Sequence, residues 1–262
     1  MDSIPKIETQ SAVAVEAQNL RKLYGKLEAV ADATFTIRSG EIVGFLGPNG
    51  AGKTTTIKML TGLLEPTAGR ASILGHDIQK EPIAAKAAFG YVPDTPNLYG
   101  KLSAWEFLQF MARLYRVPRD QAEHRAHELL RLFQLSDAAS DLLEGYSHGM
   151  QQKVALAAAL IHDPKVLFLD EPTVGLDPKS ARMIKDILVQ LRDRGVAIFF
   201  STHILEIAER MVDRVMIIDK GRIVASGTMA ELRAGGGQGS LEDIFLALTG
   251  GAEYAEIAEV LG

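Results

Sequence analysis

Apolar positions recur at two different periods along this chain, and the places where the period changes divide it. Strand-like runs cover residues 13–24, 33–37, 41–46, 71–74 and 88–92, with a turn carrying Tyr24-Gly25-Lys26 between the first two. From Lys53 the stretch KTTTIKMLTGLL has a helical period, broken at residues 65–69 by Glu-Pro-Thr-Ala-Gly. Residues 96–163 then show the helical period alone. Ser103-Ala104-Trp105-Glu106 is a capping box, with Leu102 and Phe107 as its hydrophobic staple, and predicts a helix from Ala104 toward Tyr115. Two more amphipathic helices are predicted over 120–135 and 147–162. The alternation then resumes: strand 166–170 (VLFLD), helix 178–194 with Pro178 at its start, strand 197–201 (AIFFS), helix 204–211, and a hairpin of 214–218 and 222–225 around Asp219-Lys220-Gly221. Such alternation predicts a mostly parallel sheet with helices on both faces, and the helical block reads as an insertion into it. Residues 1–12 read as a flexible lead-in, GGGQGS at 235–240 as a flexible linker, and 241–249 as a short helix before a weakly patterned tail. There is no internal repeat.

Composition narrows the class only a little. At 262 residues, 47% hydrophobic and 23% charged, the chain can bury a sizeable core. Its net charge of -5 argues against a general nucleic-acid binder. The absence of cysteine excludes disulfides and cysteine-ligated zinc or iron–sulfur sites, and fits a reducing compartment. The start MDSIPKIETQ lacks the pattern of a signal peptide, and apolar runs such as 154–161 fall far short of the ~20 residues needed to span a bilayer. If the protein acts at a membrane, another chain must supply the membrane part.

The first candidate for chemistry is Gly47-Pro48-Asn49-Gly50-Ala51-Gly52-Lys53-Thr54-Thr55, lying where the strand 41–46 turns into a helix. That is the context a phosphate-binding loop requires. Gly47, Gly50 and Gly52 let successive N–H groups point at one anion, and the positive end of the following helix completes the cradle. Lys53 can reach the β- and γ-phosphates of a nucleoside triphosphate, and the Thr54 hydroxyl can ligate a bridging Mg²⁺. Alone, the loop leaves kinases, GTPases, motors and transporters open.

The second half narrows the choice. VLFL delivers Asp170 to a strand end, where a carboxylate can hold Mg²⁺, and Glu171 beside it can orient and deprotonate water. His203 follows the next buried strand, so it is expected on the same edge of the sheet. Ser147-His148-Gly149-Met150-Gln151-Gln152-Lys153 opens a helix, and reads either as an ordinary cap or as a second anion-binding helix end. If the second, both ends serve one nucleotide only if the chain folds the insertion back or if two chains pair head to tail. Tyr24 is either a stacking platform for a base or a half-buried strand-end tyrosine.

Together, Tyr24, the loop at 47–55, Ser147 to Lys153, Val166 to Pro172, Gly175-Leu176-Asp177 and His203 resemble the ATP-binding subunit of an ABC transporter, over roughly residues 13–232. The resemblance implies an α/β P-loop NTPase with a RecA-like, mostly parallel sheet core (13–95 and 164–232), an antiparallel β subdomain and an inserted α-helical subdomain (96–163), with 233–262 as linker and helical tail. It also implies ATP hydrolysis with Mg²⁺ in a homodimer, or a pair with a similar subunit, peripheral to the cytoplasmic side of the cell membrane. A separate transmembrane permease completes the assembly. By motif position, Tyr24 stacks on adenine, Lys53 and Thr54 hold phosphates and Mg²⁺, and Asp170 binds Mg²⁺. Glu171 is the base, His203 the switch, Ser147 and Gly149 the donors to the γ-phosphate across the interface, and Asp177 belongs to the loop linking the two sites. The chain departs from the family at Tyr146-Ser147-His148-Gly149-Met150, where LSGGQ is usual, and at Asp94, where a glutamine is usual. Asp94 can still touch Mg²⁺-bound water. These forms and the LEDIFLALTG ending are similar to subunits serving ABC-2 type exporters. A groove lined by 94–105 offers Leu98, Tyr99 and Trp105 either to a permease helix or to packing between the subdomains. The rivals are a soluble ABC-type ATPase acting on ribosomes or DNA, a regulatory module without hydrolysis, and a small-molecule kinase.

Overall fold

The computed structural model describes residues 11–234 and 240–250; the lead-in 1–10, the linker residues 235–239 and the tail 251–262 lie outside the described residues. Among the described residues ten strands form one sheet: β1 (Val13–Tyr24), β2 (Leu27–Arg38), β3 (Ile42–Leu46), β4 (Ala68–Ile73), β5 (His76–Asp77), β6 (Phe89–Val92), β7 (Val166–Asp170), β8 (Ala197–Thr202), β9 (Arg214–Asp219) and β10 (Arg222–Gly227). Their order is β5-β4-β1-β2-β10-β9-β3-β8-β7-β6. β9, β3, β8, β7 and β6 run parallel, whereas β1, β2, β4 and β5 pair antiparallel at one side. The helices are α1 (Lys53–Leu60), α2 (Pro82–Ala87), α3 (Ala104–Leu114), α4 (Arg119–Leu132), α5 (His148–Leu160), α6 (Pro178–Asp193), α7 (Leu205–Met211), α8 (Met229–Ala234) and α9 (Leu241–Thr249).

The central strands are buried on both faces, which is why they read as unbroken apolar runs. Alternate residues separate the two faces. Ile198 and Phe200 of β8, with Leu167 and Leu169 of β7, meet α3, α4, α5 and α6. Phe199, Phe168 and Phe45 point the other way, against α1 and the antiparallel strands, where Phe35 stacks on Phe199 at 5.7 Å. A third cluster sets Leu241 and Ile244 of α9 against Val215, Ile217 and Ala208, and so packs α9 against α7. α5 packs on β6 so closely that a Cβ on Gly90 would lie 2.4 Å from the Ala159 carbonyl oxygen.

The structure exceeds the pattern at β2, β5, α2 and α8. β2 begins at Leu27 and not at residue 33, because its mixed first half is held by pairing with β1 and by Ala31 N–H donating to the Gly221 carbonyl. β5, α2 and α8 were not expected; β5 has two residues, α2 buries only Ala85 and α8 buries none, too little for a periodic signal. The capping box at Ser103 is present in full. Ser103→Ala removes its acceptor for the Glu106 N–H (3.2 Å) and is expected to cost about 1 kcal/mol, a fall of about 2–4 °C in melting temperature by calorimetry.

Candidate functional site

β3 ends at Leu46 and α1 begins at Lys53, so residues 47–52 form the turn between a central strand and a helix. Two of its glycines are fixed by their surroundings. A Cβ on Gly47 would lie 2.4 Å from the Ile218 carbonyl oxygen, and Gly52 combines φ +110° with a Cβ position 2.5 Å from the Ala29 carbonyl oxygen. The turn is tied from below by Gly221 N–H, which donates to the Ala51 carbonyl at 2.9 Å. Asn49 and Gly50 stand exposed at its tip beside half-buried Pro48. Lys53 is buried, and its Nζ donates to the carbonyls of Gly47 (2.7 Å) and Pro48 (3.2 Å). Burial holds its ammonium pKa below the usual lysine range, while Glu171 and Asp170 pull it upward. Thr54 and Thr55 are half-buried in the first turn of α1.

The carboxylates arrive from the neighbouring strands. Asp170 ends β7 and pairs in register with Ser201 of β8. It is 1% exposed; Oδ1 accepts the Ser201 hydroxyl, and Oδ2 is buried without a partner. A buried, orphaned carboxylate oxygen is what a divalent cation would satisfy, so the donor set fits Mg²⁺. Among the described residues no group of three or more His, Cys, Asp and Glu side chains could hold a metal, so phosphate and water would complete the shell, as Mg²⁺ favours. Glu171 follows with φ +50°, and this left-handed step swings its carboxylate to His203, whose Nδ1–H donates to Oε1 at 3.0 Å. Asp94 follows β6, which pairs with β7, and so emerges on the same edge. It is exposed, with Oδ1 accepting the Thr95 N–H at 2.7 Å. Burial first, then the charges of Asp170 and Asp94, push the Tyr91 phenol well above its ordinary range. Tyr24 is half exposed at the end of β1, with Lys22 Nζ 5.5 Å from its ring centroid.

Ser147 is the exposed N-cap of α5 and accepts the Met150 N–H at 3.4 Å. Its helix end docks onto the segment that follows Glu171. His148 Nε2–H donates to the Val174 carbonyl (3.2 Å), Gln152 Nε2 donates to the Pro172 carbonyl (3.4 Å), and Gly149 faces Leu176. Among the described residues no hydrogen bond joins 147–153 to 47–55. Asp177 caps α6, accepting from the N–H groups of Lys179 and Ser180 at 3.0 Å each and from the Ser180 hydroxyl at 2.6 Å. The Ser180 hydrogen bonds hold its carboxyl below the usual range, so the carboxylate is engaged in the helix cap.

A family model described as ABC transporter matches residues 30–174, from within β2 to just past Glu171. The chain belongs to the ABC transporter family. It is the ATP-binding subunit of an ABC transporter and an ATPase, on an α/β P-loop NTPase fold with a mixed sheet. It is 40% identical to the linearmycin resistance ATP-binding protein LnrL of Bacillus subtilis, over 85% of this chain and 72% of that protein. It is 39% identical to the daunorubicin/doxorubicin resistance ATP-binding protein DrrA of Streptomyces peucetius, over 87% and 69%. Among solved structures, the ATP-binding subunit of an ABC transporter superposes with a TM-score of 0.85 at 36% identity, covering 90% of this chain and 99% of that one. A dimeric ATP-binding cassette in a post-hydrolysis state, bound to ADP and Pi, matches at 0.74 and 27%, over 82% and 98%. No helix among the described residues of this ABC ATPase is long and apolar enough to cross a membrane.

Around the ABC site, sequence reasoning passed over Ser201, buried in an apolar strand, and gave no role of its own to Gln152, buried within the 147–153 motif. It also misplaced Trp105, which packs on His127 at 4.4 Å and does not line the groove beside β6. Phe107, Phe110, Met111 and Leu114 line that groove in its stead, with Leu98 and Tyr99 as expected.

Proposed function

We propose that this ATPase powers export through a separate transmembrane permease, from the cytoplasmic face of the membrane, as one half of a dimer that encloses two ATP molecules. The observation carrying this reading is the exposed helix end at Ser147, which engages the chain's own 172–177 segment but not its own phosphate loop. A second copy, placed head to tail, brings that helix end to the γ-phosphate; the dimeric relative bound to ADP and Pi supports such an arrangement. The resistance proteins among the relatives support export of the ABC-2 type.

In each site the Tyr24 ring stacks on adenine, and the N–H groups of residues 47–55 surround the phosphates. Lys53 exchanges the Gly47 and Pro48 carbonyls for β- and γ-phosphate oxygens. Thr54 and Asp170 Oδ2 would hold Mg²⁺, and Asp94 would reach it through water. When bound, the cation neutralises charge building on the phosphates. Glu171 takes the proton of the attacking water, and His203 keeps that carboxylate aimed. Ser147 and Gly149 of the second copy donate to the γ-phosphate. Asp177 fixes the turn beside Leu176, so the catalytic segment of one site is joined to the helix end serving the other. The division into a core (13–95, 164–232) and a helical subdomain (96–163) is supported by this arrangement, since of the residues given a role in the site the insertion carries only Ser147 and Gly149.

The groove between β6 and α3 fits an apolar permease segment, because Tyr99 and Leu114 are exposed on it at 56% and 64%. Replacing Tyr99 and Leu114 together by Ala is expected to lower recovery of the permease in a pull-down while ATP binding stays normal; unchanged recovery contradicts this role. The dimer geometry has its own test. The chain has no cysteine, so Asn49→Cys with Ser147→Cys places the only two thiols. ATP should promote an intermolecular disulfide between them, and cross-linking indifferent to ATP would count against the proposed pairing.

A further inference from the structure

Ser201 lies fully buried in β8, one residue before Thr202 ends the strand, and nothing in the proposed hydrolysis uses it. Its hydroxyl has one proton and two lone pairs. The proton goes to Asp170 Oδ1, across the in-register pair of β7 and β8. On its other side the same oxygen accepts the Glu171 N–H at 3.2 Å, and the Ser201 carbonyl also accepts that N–H at 3.2 Å. One side chain thus touches both members of the carboxylate pair.

Two consequences follow from this bridge. With Oδ1 taken, the Asp170 carboxylate is fixed in rotation, and Oδ2 is the oxygen left without a partner. Meanwhile Glu171 sits at φ +50°, a conformation that strains a residue with a Cβ and persists only where neighbours hold it. The grip on its N–H supplies that hold, and the left-handed step is what brings the Glu171 carboxylate to His203.

We propose that Ser201 is a positioning residue for ATP hydrolysis, aiming Asp170 Oδ2 at the cation and locking the backbone step that turns Glu171 toward the attacking water. The inference rests on Asp170 as the cation ligand and Glu171 as the base. Partners that orient a metal ligand typically contribute about 10- to 100-fold in metal affinity or activity.

The test compares Ser201→Thr with Ser201→Val, which have the same shape and differ in the hydroxyl. Mn²⁺ affinity is read by electron paramagnetic resonance with a non-hydrolysable ATP analogue bound, alongside kcat and thermal melting. Ser201→Thr should stay close to the parent, whereas Ser201→Val should lose about 10- to 100-fold in Mn²⁺ affinity and in kcat at an unchanged melting temperature. Equal behaviour of the two variants overturns the proposal. If the added methyl prevents folding of both, Ser201→Ala carries the test: a loss of Mn²⁺ affinity supports the role, and parental affinity and turnover overturn it. Asp170→Ala separates the two levels. Normal Mn²⁺ affinity there removes the cation assignment and Ser201's role with it, whereas a loss there beside a parental Ser201→Ala removes the role of Ser201 alone.

Discussion

Glu171→Gln is expected to lower ATP turnover by about 10²- to 10⁴-fold while ATP affinity stays within a few-fold of the parent. The substitution keeps the shape of the side chain and leaves Asp170, with its unpartnered Oδ2, untouched. What it removes is the acceptor for the proton of water, which an amide cannot replace at neutral pH. The amide can keep one contact with His203 Nδ1–H, now 3.0 Å from Oε1, through its carbonyl oxygen, so the local geometry should survive. Steady-state phosphate release and equilibrium binding of a fluorescent ATP analogue measure the two quantities separately. A variant that hydrolyses at more than a tenth of the parental rate would mean that the base lies elsewhere.

Lys53→Ala should act on binding itself. A charge-assisted hydrogen bond contributes about 1.5–3 kcal/mol, so the dissociation constant for ATP should rise by about 10- to 100-fold. The nucleotide-free protein should lose little stability. Lys53 is buried against the Gly47 and Pro48 carbonyls, and the desolvation that lowers its pKa offsets much of what those hydrogen bonds contribute. Calorimetric titration and melting without nucleotide together check the claim. A variant with parental affinity would contradict the assignment of Lys53 to the phosphates.

What could be read in the sequence follows from how each feature is encoded. β3, β7 and β8 are continuous apolar runs because helices and ribbon cover both their faces, and their ends place the phosphate loop, Asp170 and His203 without further information. β5 and α2 carry too few buried residues to write a period, so they were invisible. Trp105 was assigned to the wrong face for a geometric reason. Two residues are about 200° of helical turn, so Trp105 lies nearly opposite Phe107, whereas Phe110, Met111 and Leu114 follow Phe107 at the spacing of one face. Ser201 was missed because a serine in AIFFST reads as a small filler of a buried strand; only the register of β7 against β8 sets its hydroxyl between Asp170 and Glu171. The docking of the Ser147 helix end onto 172–177 is likewise a tertiary fact, made by His148 and Gln152 reaching carbonyls more than twenty residues away in one case and twenty in the other.

The central claim is that one chain holds half of each site and that ATP joins two of them. Light scattering of the Glu171→Gln variant, with and without ATP and Mg²⁺, tests this most directly, because blocked turnover preserves the bound state. A mass near 28.4 kDa per particle without nucleotide, doubling when ATP is added, is the predicted result. A variant that binds ATP and keeps the mass of a single chain would contradict the account.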